Sequence, residues 1–143
     1  WYFACNGAKS IFIANRSVAK AQQLAAALKK AFPALECDVC EISDRTKMSD
    51  FFKKSDVLIQ STSVGLKESD GAPFALDMLD GMSDLCVYDL IYKETELLKY
   101  CHTAGIPCAN GSDMLLYQGA ASFEFWTGKK APVEEMRKGL ENA

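Results

Sequence analysis

Short apolar runs alternate with amphipathic stretches along the whole chain. Residues 11–14, Ile-Phe-Ile-Ala, make a run of the kind buried on both faces of a parallel sheet. From Ser17, a residue suited to capping a helix, Val18, Ala21, Ala25, Leu28 and Phe32 recur every three or four positions until Pro33. That spacing predicts a helix with one buried face. Leu35, Cys37 and Val39 alternate as a second strand, Asp44 can cap a short helix running through Phe51 and Phe52, and residues 56–60 read as a third strand. A loop rich in Ser, Gly and Asp covers 61–73. Residues 85–89 form a fourth strand, followed by a helix over about 95–104 that Gly105 stops. Residues 106–109 form a short fifth strand, and two helices, about 112–126 and 132–142, are parted by Gly128 and Pro132.

Strands alternating with helices through short connections predict right-handed βαβ units and a doubly wound parallel α/β sheet. Ligands in such sheets bind beyond the carboxyl ends of the strands. Arg16, Ser63, Leu90 and Gly111 each follow a predicted strand, so they are expected along one edge.

Composition narrows the class. With 49% hydrophobic and 24% charged residues in 143, the chain is expected to be globular, and sixteen Lys and Arg against nineteen Asp and Glu leave a net charge of −3. Such a chain lacks the summed positive field that draws proteins to nucleic acid or anionic lipid. No apolar run approaches the ~18 residues that cross a bilayer. Six cysteines suggest reduced thiols in a cytoplasmic protein. Cys37-Asp-Val-Cys40 lies at the end of a strand rather than at a helix N-terminus, where redox pairs sit. A zinc site would need a second close pair, yet Cys101 and Cys108 are too widely spaced and His102 is the single histidine, so no metal is expected. The opening Trp1-Tyr-Phe-Ala-Cys-Asn6 has neither an initiating Met nor a basic leader, which suggests a start inside a longer protein.

The strand ends hold the candidate chemistry. After the first strand come Asn15, Arg16, Ser17 and Lys20, two cations at the positive end of a helix, where the macrodipole disfavours them. Either this is a solvated basic turn or an anion belongs there. In dinucleotide folds this strand end faces the adenine ribose: an acidic residue selects NAD, an Arg accommodates the 2′-phosphate of NADP. Thr62 and Ser63 follow the third strand, where small hydroxyl residues let a ligand approach the backbone. Asp89 interrupts an apolar stretch before Leu90 and Tyr92. On the helix after Asn110-Gly111, Met114, Gln118, Ala121 and Phe125 share one face, so Gln118 reads as a lone amide among apolar side chains. A buried amide must be satisfied by backbone or by ligand.

Five segments in this order resemble the C-terminal, NADP-binding domain of the shikimate dehydrogenase family: Ala14-Asn-Arg-Ser-Val-Ala-Lys20, Ser61-Thr-Ser-Val-Gly65, Val87-Tyr-Asp-Leu-Ile-Tyr92, Asn110-Gly-Ser-Asp-Met114 and Gln118-Gly-Ala-Ala-Ser-Phe-Glu-Phe-Trp-Thr-Gly128. The resemblance covers essentially the whole chain, so residues 1–143 are read as one partial NADP-binding domain. It implies that Asn15, Arg16, Ser17 and Lys20 hold the adenosine 2′-phosphate. Thr62, Ser63 and Leu90 would line the cofactor site, Gly111 and Met114 would lie near the nicotinamide, and Tyr92 and Gln118 would reach shikimate. The implied reaction is reversible reduction of 3-dehydroshikimate to shikimate with NADPH, in aromatic amino-acid synthesis.

The chain departs from the family pattern in three places. Glu94 stands where the family often has Pro, and Leu90 where many relatives have Met. The family's first strand and glycine-rich phosphate turn have no counterpart here, and Trp1 to Asn6 reads as the last turns of the helix that follows that turn. Its N-terminal substrate domain, with a catalytic Lys and Asp, is also without a counterpart. The implied fold is therefore a Rossmann-like sheet lacking its first strand, with no catalytic residue in this chain, inactive alone and prone to self-association. A quinate-oxidising relative with a preference for NAD, and a non-catalytic nucleotide-binding or interaction module, are the alternative readings.

Overall fold

The computed structural model describes residues 1–67 and 69–142. It divides into two compact units, one of Trp1–Asp56 with Phe74–Met82, the other of Val57–Pro73 with Ser83–Ala143.

In the first unit a helical turn, α1 (Tyr2–Cys5), precedes β1 (Ser10–Asn15), α2 (Val18–Ala31), β2 (Glu36–Glu41) and α3 (Arg45–Lys53). β1 and β2 pair in parallel, Ser10 opposite Glu36 through Asn15 opposite Glu41. The predicted helical stripe is the packed one: Ala25 and Leu28 of α2 close on Leu35 and Cys37, with Ile11, Ile13, Phe32 and Val39 around them. Asp44 caps α3 as its position suggests, accepting from the Lys47 amide at 3.0 Å. Phe51 on that helix stacks on Phe12 of β1, ring centres 4.7 Å apart. A 3₁₀ turn over Leu76–Leu79, which no sequence pattern marked, buries Met78 and Leu79. Arg45 ties this turn to α3 through Asp77 at 2.6 Å.

The second unit holds β3 (Val57–Gln60), β4 (Cys86–Asp89), α4 (Glu96–Ala104), β5 (Cys108–Ala109), α5 (Ser112–Thr127) and α6 (Val133–Glu141). Its sheet has the order β3-β4-β5, all parallel. Thr95 caps α4 and Gly105 ends it at φ +70°, a left-handed conformation that glycine adopts without strain. Val87, Leu97, Leu98, Cys101 and Ile106 supply the core. β5 is two residues shorter than predicted because Ile106 serves the end of α4, its amide donating to the Cys101 carbonyl at 2.9 Å.

Both sheets are parallel and each strand is followed by a helix or turn, the α/β pattern expected. Among the described residues, β1 pairs only with β2, and β3 only with β4. Each of these two strands thus keeps one edge without a ladder partner among those residues. Among the described residues no helix is long and apolar enough to cross a membrane.

Candidate functional site: the loops at the strand ends

In the first unit, the chain turns from β1 into α2 through Asn15-Arg16-Ser17. Ser17 occupies the capping position, yet its side chain makes no cap bond. Instead the Asn15 side chain accepts from the Ser17 amide at 2.8 Å, closing a tight turn before the helix starts. The expectation that Ser17 caps α2 with its hydroxyl is corrected on this point. Arg16 and Lys20 are exposed, and among the described residues neither has an ion-pair partner. The first turn of α2 contains no acidic residue. Unsatisfied first-turn amides and two uncompensated cations make this a strongly electropositive corner.

The second unit brings three loops together. Gln60, the last residue of β3, is buried. Its carbonyl oxygen Oε1 accepts from the Thr62 amide, while Nε2 donates to the Val64 carbonyl at 3.0 Å and to Asp89 Oδ1 at 3.4 Å. Asp89, the last residue of β4, is 0% exposed. Oδ1 also accepts from the Ile91 amide at 3.0 Å, and Oδ2 accepts from the Thr95 hydroxyl at 2.8 Å. The Leu90 amide donates to the Gln60 carbonyl at 3.0 Å.

The loop after β5 joins the same assembly. Gly111 N donates to the Ile91 carbonyl at 3.0 Å, and Asn110 Nδ2 and Ser112 Oγ both donate to the Tyr92 carbonyl, at 3.1 and 2.7 Å. A Cβ on Gly111 would lie 2.1 Å from the Leu90 carbonyl oxygen, so only glycine allows the two backbones this close. Thr62 and Ser63 are exposed above the loop after β3, Leu90 is half-buried, and the Tyr92 ring and Met114 are exposed. With Glu94 rather than Pro downstream, the turn at Tyr92 is fixed by Asn110 and Ser112.

Comparison with known proteins gives these loops a family context. Residues 111–141 match the model of the Shikimate 5'-dehydrogenase C-terminal domain. A protein named shikimate dehydrogenase (NADP(+)) from Methanobrevibacter smithii is 39% identical over 142 residues, 98% of this chain and 50% of its own length. One of the same name from Methanopyrus kandleri is 36% identical over 139 residues, 96% of this chain and 47% of its own. The crystal structure of shikimate 5-dehydrogenase from Listeria monocytogenes, in complex with shikimate and NAD, matches with a TM-score of 0.80 and 30% identity, over 96% of this chain and 49% of that one. The chain belongs to the shikimate dehydrogenase family. It spans about half the length of these relatives, and the part it matches is their C-terminal half.

α5 differs from the sequence expectation. Gln118 is exposed, as are Met114, Ala121 and Phe125, so the amide is not buried among apolar neighbours. Leu116 and Ala120 form the buried side of this helix instead. Apolar residues occupy almost every side of α5, so periodicity could not tell which side packs inward. Phe125 and Trp126 are 86% and 79% exposed, far more than large apolar side chains ordinarily are. His102 lies on α4, exposed and 3.4 Å from Oε1 of Glu94, in the loop after β4.

Proposed function

We propose that this chain is the NADP-binding half of an oxidoreductase that reversibly reduces 3-dehydroshikimate to shikimate with NADPH. The observation that carries this reading is the corner at the start of α2, where Arg16 and Lys20 stand exposed without ion-pair partners among the described residues and the first turn has no acid. That donor set fits a phosphate ester, and in a dinucleotide fold the phosphate met at this strand end is the 2′-phosphate that separates NADP from NAD. Asn15 and Ser17 complete the turn. Thr62, Ser63 and Leu90 line the cofactor site, and Gly111 and Met114 lie near the nicotinamide.

The cofactor supplies the hydride. Exposed side chains of this chain serve the substrate: the Tyr92 phenol and the Gln118 amide are free to hydrogen-bond a polyhydroxy acid, the amide donating and accepting at once. Reduction of a carbonyl also needs a proton donor near the developing alkoxide. Tyr92 is assigned to binding and His102 pairs with Glu94, so we assign that proton to the other half of the protein, which we propose as the partner of this one. The free edges of β1 and β3 and the exposed face of α5 support such a partner, or self-association when it is missing. Six cysteines held as thiols accord with a cytoplasmic protein.

The test is Arg16→Ala in the full-length protein, with NADPH and NADH binding measured side by side. NADPH is expected to lose roughly 1.5–3 kcal/mol, about ten- to a hundredfold, with NADH nearly unaffected. Equal losses for both would refute the assignment of the 2′-phosphate.

A further inference from the structure

We propose that Gln60 and Asp89 are positioning residues: a buried amide and a buried carboxyl clamp the loop after β3 to the loop after β4. This rests on the reading that these loops receive cofactor and substrate. The clamp is continuous. The loop after β3 is spanned by Gln60, which takes the Thr62 amide on one atom and holds the Val64 carbonyl with the other. Gln60 then donates to Asp89, which binds the Ile91 amide and the Thr95 hydroxyl, and Thr95 in turn accepts from the Leu98 amide at the start of α4. Gly65 closes the packing: at φ +105° it lies so near Thr95 that a Cβ would come within 2.8 Å of the Thr95 methyl.

Every buried polar group in this chain of bonds has a partner, which is what makes it rigid. Its geometry is also directional. Gln60 must present an acceptor to Thr62 and a donor to Asp89, so only an amide in one orientation serves. A Glu at this position would set an oxygen against both the Asp89 carboxyl and the Val64 carbonyl. Neither Gln60 nor Asp89 is exposed enough to be read as a ligand contact, and their effect on ligands passes through Thr62, Ser63, Leu90 and Tyr92.

The experiment uses the full-length protein and reads amide hydrogen exchange together with NADP kinetics. In Gln60→Glu, exchange at Thr62 and Ile91 is expected to quicken at least about tenfold while β4 and α4 keep their protection, and KM for NADP to rise about tenfold with kcat within about twofold. Thr95→Val removes the hydroxyl at the far end of the clamp, and it should quicken exchange at Thr62, in the other loop; Thr95→Ser should restore it. Unchanged Thr62 and Ile91 exchange in Gln60→Glu would overturn the proposal. Should that variant not fold, a Thr95→Val effect confined to Leu98, or one that Thr95→Ser does not reverse, would overturn it equally. Failure of the unmodified protein to bind NADP would instead count against the proposed function, and the exchange measurements would still decide the clamp.

Discussion

The turn after β1 and the loops after β3 and β4 occupy equivalent places in their sheets, yet they are built by opposite means. After β1 the side chains stand in solvent: one Asn15 bond closes the turn, and among the described residues Arg16 and Lys20 have no ion-pair partner. After β3 and β4 the side chains of Gln60, Asp89 and Thr95 are buried and paired, with Asp89 alone accepting three hydrogen bonds. The first arrangement keeps its charge available and gives up rigidity. The second gives up availability and gains a fixed shape.

The sharpest way to break this contrast is Gly111→Ala. The added methyl would meet the Leu90 carbonyl oxygen at 2.1 Å, a backbone atom that no rotamer change can move. Overpacking of this kind costs about 3 kcal/mol or more. A clearly lowered midpoint in denaturant is expected, with loss of cofactor binding. A variant as stable as the parent would show that the loops of the second unit are more pliant than their bonding implies. Arg16→Ala is the counterpart in the first unit. It should cost NADPH affinity as stated above and yet leave stability within about 0.5 kcal/mol, because an exposed, unpaired side chain supports no packing.

The sequence made the elements legible and the site only partly so. Runs such as Ile11-Phe-Ile-Ala14 and the stripe through Ala21, Ala25 and Leu28 are read directly from spacing, because burial on one or both faces imposes it. Arg16 and Lys20 were legible because an uncompensated charge at a helix start is conspicuous in one dimension. Asp89 stood out as a charge within an apolar run, but Gln60 did not, since its partner lies 29 residues away and nothing local marks the pair. Ser17 holds the capping position its sequence suggests, yet its hydroxyl makes no cap bond, while the neighbouring Asn15 side chain takes the Ser17 amide, which spacing alone does not reveal. On α5 the apolar residues surround the helix, so the solvent side of Gln118 could not be told from the packed side of Leu116.

A smaller effect, read as a rate, follows from the thiols. Cys5 and Cys86 are exposed and should be alkylated first, followed in mass spectra by the buried cysteines. Burial pushes the thiols of Cys37 and Cys40 up and that of Cys101 up to about 11, so all three are protonated and react only when the structure opens. No residue of β1 is fully buried, whereas Cys101 lies wholly inside the second unit. Cys37 and Cys40 should therefore react before Cys101. The reverse order would assign the looser structure to the second unit.

The smallest effect is expected in acid, and it tests whether the surfaces of the two units behave alike. Asp38, in the first unit, is held below the usual carboxylate range by the Val39 amide and then by Lys47. Asp70, in the second, is lowered likewise by the amides of Lys67 and Gly65, which donate to Oδ2 at 3.1 and 3.0 Å. A carboxylate whose folded pKa lies below its unfolded value contributes stability above the unfolded pKa, near 4, and loses it as pH falls through the folded one. Both groups stay ionised at neutral pH, so no change is expected between pH 6 and 8 from either. Below about pH 4 the amide signals of Val39, Gly65 and Lys67 should shift together with their carboxylates in an NMR titration, and Asp70→Asn should abolish the shift at Gly65 and Lys67 while leaving Val39 untouched. Both groups are solvent-screened, so the change in overall stability should be slight. A steep loss of the second unit's structure in this range, with the first intact, would show that the two surfaces do not behave alike.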